Sequence, residues 1–469
     1  MDISELLFEL SKRDCIGNVR EAADYAEEQL SRYADTKRVG GSIIRFVKGK
    51  ADYTLLLDAH IDQVGMIVTN IDEEGFLTVA ASGGIDIRAL PSRTVTVHGK
   101  EKITAVFCST PPHLASGETE YDDISKIKLD TMLGSKASEM ISLGDYVTFQ
   151  AKPCRLSGDT VTGRSFDDRA GVACLLKIAE ELSGAELPVN VAFLLSDGEE
   201  LGMRGAVTAA FNAEPNEAVA VDVSFGNGIG ISPEECGKLG AGAMIGFAPT
   251  LDGDISAKLV LLAENNGIKY QTEVMGGRTG TNADVISVSR SGVKTCTVSV
   301  PLRNMHTEAE VLRISDLNSV CDLLIKYILS GQEMDYDWLS LVNVVDSIYI
   351  YENISFKSFA LGYHSSILSN DVELFSAEDK NACIESGCAV VEDSSSLLRG
   401  RPSPADEYIV RKKNAGEYEL RLSEDEDTLV TLAIANSPGW MVDVDGVVSQ
   451  ASTANYGLVS TVVSQGNHT

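Results

Sequence analysis

Positive charge is scarce in this chain of 469 residues, where 39 Lys and Arg stand against 69 Asp and Glu for a formal net charge of −30. Such a surface repels phosphate backbones and anionic lipid, which argues against nucleic acid and membrane as partners and leaves part of the excess acid free to bind cations. Long apolar runs are missing too. No stretch approaches the roughly 18 apolar residues that a bilayer crossing needs. The opening MDISELLFELSKRDC has neither the basic start, the apolar stretch nor the small-residue cleavage site of a signal peptide, so the expected location is the cytoplasm. Cysteine occurs nine times, an odd number. The close pair Cys383 and Cys388 lacks the second pair or nearby histidine of a zinc ribbon, and thiols such as Cys174 and Cys296 lie in apolar segments that predict buried, free side chains.

What is present is the composition of a folded protein, 44% apolar and 23% charged, on a chain long enough for two to three domains. Helical periodicity runs from Ser4 to Tyr33, and the continuous apolar run Thr54–Asp58 reads as a strand buried on both faces. From Gly65 to about Gln150 the pattern shifts to short alternating strands broken by glycine and proline, the texture of a small β domain. Helical spacing returns at AGVACLLKIAEEL, from Ala170, and apolar strands then alternate with helices to about Leu329, so the β block interrupts an α/β domain. The expected division is an α/β domain over 1–64 and 163–331 with a mixed sheet, an inserted β domain over 65–162, and a C-terminal β-sandwich-like region over 345–469.

Histidine is rare at six residues, which makes each position informative. His60 ends the first buried strand in the tripeptide His-Ile-Asp, and residues two apart on a strand share a face, so Asp62 can reach the imidazole and fix its tautomer, an arrangement that in isolation reads first as a structural histidine satisfied by an aspartate. Asp167 and Asp168 precede an amphipathic helix in SFDDRAG, where an isolated pair would read equally well as a helix cap. Adjacent glutamates are usually solvated, but in LLSDGEELG a buried strand runs into Glu199 and Glu200, a setting that allows one to bind a metal while its neighbour handles protons. Asp222 lies within the apolar run AVAVDVSF, where an unpaired carboxylate is costly to bury, and His306 follows the apolar strand KTCTVSVP. His60, Asp167, Glu200, Asp222 and His306 thus all fall at strand ends or adjacent turns of one sheet. Two imidazoles and three carboxylates are the inventory of two divalent ions about 3.5–4 Å apart that share one carboxylate, with Glu199 placed to move the proton of a bound water.

In this order, HIDQVG, SFDDRAG, DGEELG, VAVDVSF and VPLRNMHT resemble the motifs of the M42 family of metalloaminopeptidases, which includes glutamyl aminopeptidases and tetrahedral TET peptidases. TPPHL at Thr110–Leu114 and KLDTMLGSKASEMISLGDYVTF are similar to that family's inserted β domain, and the likeness covers roughly 1–331. The resemblance implies that His60 and Asp222 bind one metal, Glu200 and His306 the other, and Asp167 both, with Glu199 as general acid/base and Asp62 orienting His60. It further implies two zinc or cobalt ions per subunit, short peptides with a free amino terminus as substrates, and a homo-oligomer from dimer to dodecamer formed partly through the β insertion. Two departures stand out. Gln63 replaces the family's usual glutamate, and the glycine loop that usually reads close to GGTDA is GGRTGTNADV here, which makes Gly277, Arg278 and Asn282 the candidate substrate-side residues, with Arg278 readable either as favouring an acidic first residue or as a solvated loop cation. The remaining histidines, His98, His113, His364 and His468, have no carboxylate pattern around them and read as structural or exposed.

Beyond Gly331, IYIYENISFKSFAL and ANSPGWMVDVDG are similar to the extracytoplasmic β domain of YfhO-like bacterial membrane proteins, although no membrane-spanning body accompanies them here. Two other readings stay open. One is a related two-metal carboxypeptidase or deacylase, since SDGEELG also resembles the glutamate motif of those enzymes. The other is a non-enzymatic carbohydrate-binding protein built around the tail.

Overall fold

A computed structural model of the chain describes residues 2–33, 35–111, 113 and 123–331 fully, and after them strand segments of backbone between Leu339 and His468. Its contacts separate into two compact units, Met1–Met334 and Asp335–Thr469. The tail resemblance, Cys383 and Cys388, and the side chains of His364 and His468 lie outside the fully described residues.

The first unit opens with α1 (Ile3–Ser11), whose first turn is capped by the Asp2 carboxylate accepting from the backbone N–H of Ser4 and Glu5. α2 (Glu21–Ser31) follows, then β1 (Thr36–Val39), β2 (Ser42–Val47) and β3 (Thr54–His60). Six strands come next, β4 (Gly65–Ile71), β5 (Leu77–Ser82), β6 (Thr94–His98), β7 (Lys102–Phe107), the two-residue β8 (Leu129–Asp130) and, after the short α3 (Ala137–Met140), β9 (Tyr146–Phe149). They close into a barrel in the order β4-β5-β8-β7-β6-β9. Its interior is filled by alternate residues such as Val95, Val97, Ala105, Phe107, Val147 and Phe149, and closure leaves no free strand edge.

The chain re-enters the body through β10 (Cys154–Arg155), β11 (Thr160–Gly163) and α4 (Phe166–Glu181). It continues through β12 (Asn190–Ser196), α5 (Arg204–Ala213), β13 (Glu217–Phe225), β14 (Ala243–Phe247), α6 (Gly253–Asn265), β15 (Tyr270–Val274) and α7 (Ala283–Ile286). The last elements are β16 (Lys294–Leu302), β17 (Glu310–Arg313) and α8 (Ile314–Ser330).

Eight strands form one mixed sheet, β1-β2-β12-β3-β13-β16-β14-β15, in which β12, β3, β13 and β16 run parallel. Helices cover both faces, which is why β3 is a continuous apolar run and not an alternating one. Leu55, Leu57, Val219 and Val221 pack against α4, α6 and α8 on one side. Leu56, Ala192, Leu194 and Ala218 meet the small side chains Ala206, Ala209 and Ala210 of α5 on the other. Cys174 and Cys296 are buried free thiols in these layers. Among the described residues no helix is long and apolar enough to cross a membrane.

Because the parallel strands share a direction, their carboxyl ends lie along one edge, the usual place for chemistry in an open α/β sheet. β3 ends at His60 and β4 begins at Gly65, so the barrel leaves the body directly at that edge. The chain returns to it just ahead of Asp167. Every strand end that carries a candidate ligand belongs to the first unit. We therefore expect a chain cut after residue 334 to stay soluble and melt in one cooperative transition, measured by circular dichroism. Aggregation or loss of the transition would show that the tail completes the first unit's core.

Candidate functional site

His60 is the last residue of β3, and only 2% of its surface reaches solvent. Its Nε2 lies 2.9 Å from Asp167 Oδ1 and 3.9 Å from Asp222 Oδ1, while Nδ1 faces Asp62 Oδ1 at 3.5 Å. The pairing of Asp58 with Ala220 sets β13 beside β3 in a register that carries Asp222 level with His60. Asp167 reaches the other way with its second oxygen, Oδ2 standing 3.0 Å from His306 Nε2. Glu200 Oε1 is 3.4 Å from the same nitrogen, is buried, and has no hydrogen-bond partner among the described residues. The structure therefore gathers all five candidate ligands around the single carboxylate of Asp167.

Asp62 does more than face His60. Its two oxygens accept the backbone N–H of Glu199 (3.0 Å) and Glu200 (3.2 Å), which ties the glutamate loop to the end of β3. The barrel supplies the roof. A Cβ added at Gly84 would stand 3.0 Å from His306 Nδ1, and one at Gly83, where φ is 88°, would stand 2.9 Å from Val64 Cγ1, so glycine suits this approach to the site.

The electrostatics of this cluster call for cations. Burial pushes Asp222 well above the usual carboxylate range, and burial together with the Asp167 charge raises Glu200 to about 8. Burial also raises Glu199. For both imidazoles burial opposes protonation, but the hydrogen bonds and charges of the surrounding carboxylates outweigh it. His60 is held well above its ordinary value and His306 rises to about 9. Asp167, although buried, is held low by hydrogen bonds to His306 and His60. Imidazole and carboxylate donors of this kind suit first-row divalent metals, and the N···O separations near 3 Å are those left between ligands that share an ion at bonds of about 2.0–2.2 Å.

Two donor groups lie within 4.8 Å of one another, His60 with Asp167 and Glu200, and His60 with Asp168 and Asp222. Asp168 is the exception in its group. Its oxygens already accept the backbone N–H of Gly171 (2.8 Å) and of His60 (3.2 Å), so it braces the ligands from behind.

Of the three candidate substrate-side residues, Gly277 and Arg278 are exposed in the loop after β15. Asn282, the third, points inward. Its Nδ2 donates to Asp58 Oδ2 (2.7 Å) and Ser196 Oγ (2.8 Å) beneath the strand ends, and its surface is 2% exposed. Gln63 likewise turns away from the ligands, accepting from Cys15 N and Arg169 Nη2 at 3.0 Å each. His98 bonds Thr148 in the barrel, and His113 is exposed.

Asp58 and Glu310 are among the buried acids that escaped the sequence reading. Asp58 sits in an apolar run just as Asp222 does, a signal that would have found it. Glu310 sits four residues after His306 in a polar turn that carries no such signal.

The sequence pattern described as M42 glutamyl aminopeptidase matches residues 41–323. A putative aminopeptidase of Acetivibrio thermocellus is 29% identical over 328 residues, 66% of this chain and 94% of that protein. A lysyl aminopeptidase of Pyrococcus furiosus is 27% identical over 327 residues, 67% of this chain and 92% of that protein. The solved TET1 peptidase of Pyrococcus horikoshii, described as assembling into a tetrahedron or a large octahedral shell, superposes with a TM-score of 0.62 at 30% identity. The match takes in 70% of this chain and 99% of that one.

The inward turn of Asn282 has a measurable consequence. Asn282→Ala leaves the Asp58 carboxylate and the Ser196 hydroxyl buried without their shared donor, a loss of about 1–3 kcal/mol in urea unfolding. Unchanged stability would place the side chain in solvent, free for substrate.

Proposed function

The chain belongs to the M42 family of glutamyl aminopeptidases and is a metal-dependent aminopeptidase, and from that premise we propose the role of each residue in its site. His60 and Asp222 hold one divalent ion, Glu200 and His306 hold a second, and Asp167 is shared between them. The observation that carries this reading is the Asp167 carboxylate, with one oxygen 2.9 Å from the His60 imidazole and the other 3.0 Å from that of His306. Bound there, the ions would polarise the scissile carbonyl and lower the pKa of a shared water.

The protein's own groups do the rest. Glu199 has no ligand duty, and burial raises its carboxyl above its ordinary value, the direction that makes it a stronger base. It takes the proton of the attacking water and passes it to the departing amine. Asp62 faces His60 Nδ1 at 3.5 Å, from where it orients the imidazole, and its grip on the backbone of Glu199 and Glu200 keeps base and ligand in register. Asp62 is therefore a positioning residue.

Short peptides with a free amino terminus are the substrates, and zinc or cobalt fills the sites. Gly277 and Arg278 lie on the substrate side, in an exposed loop. The body comprises 1–64 and 163–331, the insertion 65–162 carries the barrel, and 345–469 is a separate β region. The chain forms a homo-oligomer, a reading supported by the assemblies described for the Pyrococcus horikoshii relative, and the barrel takes part in its contacts. The cytoplasm is the site of action. A carboxypeptidase or deacylase reading has less support, because the matched relatives are named as aminopeptidases.

Two substitutions test the division of labour. Asp167→Ala should lose both ions together by elemental analysis, since neither site keeps enough ligands. Full retention of two equivalents would remove Asp167 from the centre. Glu199→Gln should keep both ions and lower kcat by about 100-fold or more, because only proton transfer is lost. Metal loss equal to that of Glu200→Gln would contradict the separation of roles.

A further inference from the structure

Glu310 takes no part in the chemistry above, yet it is 1% exposed and, among the described residues, its side-chain oxygens accept only from the backbone of ligand-bearing loops. Its Oε2 accepts the N–H of Phe166 (2.5 Å) and of Asp167 (3.2 Å), and its Oε1 accepts the N–H of His306 (2.8 Å). The small sheet makes this possible. β11 pairs antiparallel with β17, setting Gly163 opposite Glu310, and β11 runs directly into the turn that carries Asp167. Both loops are bent into the left-handed backbone region by residues other than glycine, His306 at φ 63° and Ser165 at φ 55°. Side chains with a Cβ hold that conformation only where the surroundings fix it.

We infer that Glu310 is a positioning residue that locks the shared aspartate and the second histidine to one another, and so sets the affinity of the second metal ion. The inference rests on the dinuclear reading given above. A glutamine in its place keeps one acceptor oxygen and turns an NH2 group toward an N–H. The oxygen stays with the two donors of Phe166 and Asp167, so the loop of His306 is the one released.

The test is cobalt binding, read by equilibrium dialysis and by visible absorption of the stripped and refilled protein. The unsubstituted chain takes up two ions. Glu310→Gln should bind the first with little change and the second about 10–100-fold more weakly, with an altered visible band and an unchanged far-ultraviolet spectrum. Leu312→Ala, a buried neighbour on the same strand, should lower the melting temperature without changing the ratio of the two affinities. Should Glu310→Gln not fold, the same titration of Glu310→Asp decides, since the shorter acid cannot reach both loops. Two ions bound by the Glu310 variant as tightly as by the parent overturn the inference, as does an equal loss of the second ion in Leu312→Ala. Fewer than two ions in the unsubstituted chain overturn the dinuclear reading, and this inference with it.

Discussion

Buried like charges govern this structure. Asp167, Asp222 and Glu200 converge from three separate elements on two imidazoles, with Asp168 and Glu310 fully enclosed behind them. Carboxylates out of water repel one another and lose their hydration, so such a cluster holds together only when positive charge is placed among them. Divalent ions are the natural source of that charge, with the two histidines as neutral imidazole ligands. Much of the surrounding architecture follows from the need to keep these groups close. Parallel strands bring His60, Asp222 and the Glu200 turn to one edge, and the barrel leaves and rejoins the body at that edge.

A second tier of carboxylates works on the backbone. Asp62 holds the N–H groups of Glu199 and Glu200, Asp168 holds that of His60, and Glu310 holds those of Asp167 and His306. Backbone anchoring fixes where a loop begins its side chain, which a contact at the side-chain tip alone does not. The acidic bias of the sequence has one of its physical uses here.

The sequence pattern made part of this arrangement legible. Continuous apolar runs ending in His60 and enclosing Asp222 could only be buried strands, and their carboxyl ends had to share an edge once the strands ran parallel. The barrel's strands were visible as alternation, except β8, whose two residues are too few to carry a period. Glu310 was not legible, because its surroundings in sequence are polar and its burial depends on the pairing of β11 with β17. The direction of Asn282 was hidden for a related reason. A polar residue in a glycine loop looks solvent-facing until its partner Asp58, far away in the chain, is placed beneath it.

The most direct test of the two-metal aminopeptidase account is hydrolysis of matched aminoacyl-p-nitroanilides, free and N-acetylated, by protein stripped of metal and refilled stepwise with zinc or cobalt. The account predicts no turnover in the stripped protein, recovery that is complete only at two equivalents, and cleavage confined to substrates with a free amino group. Equal cleavage of the acetylated substrates, or full activity with no ion or one ion bound, would contradict it.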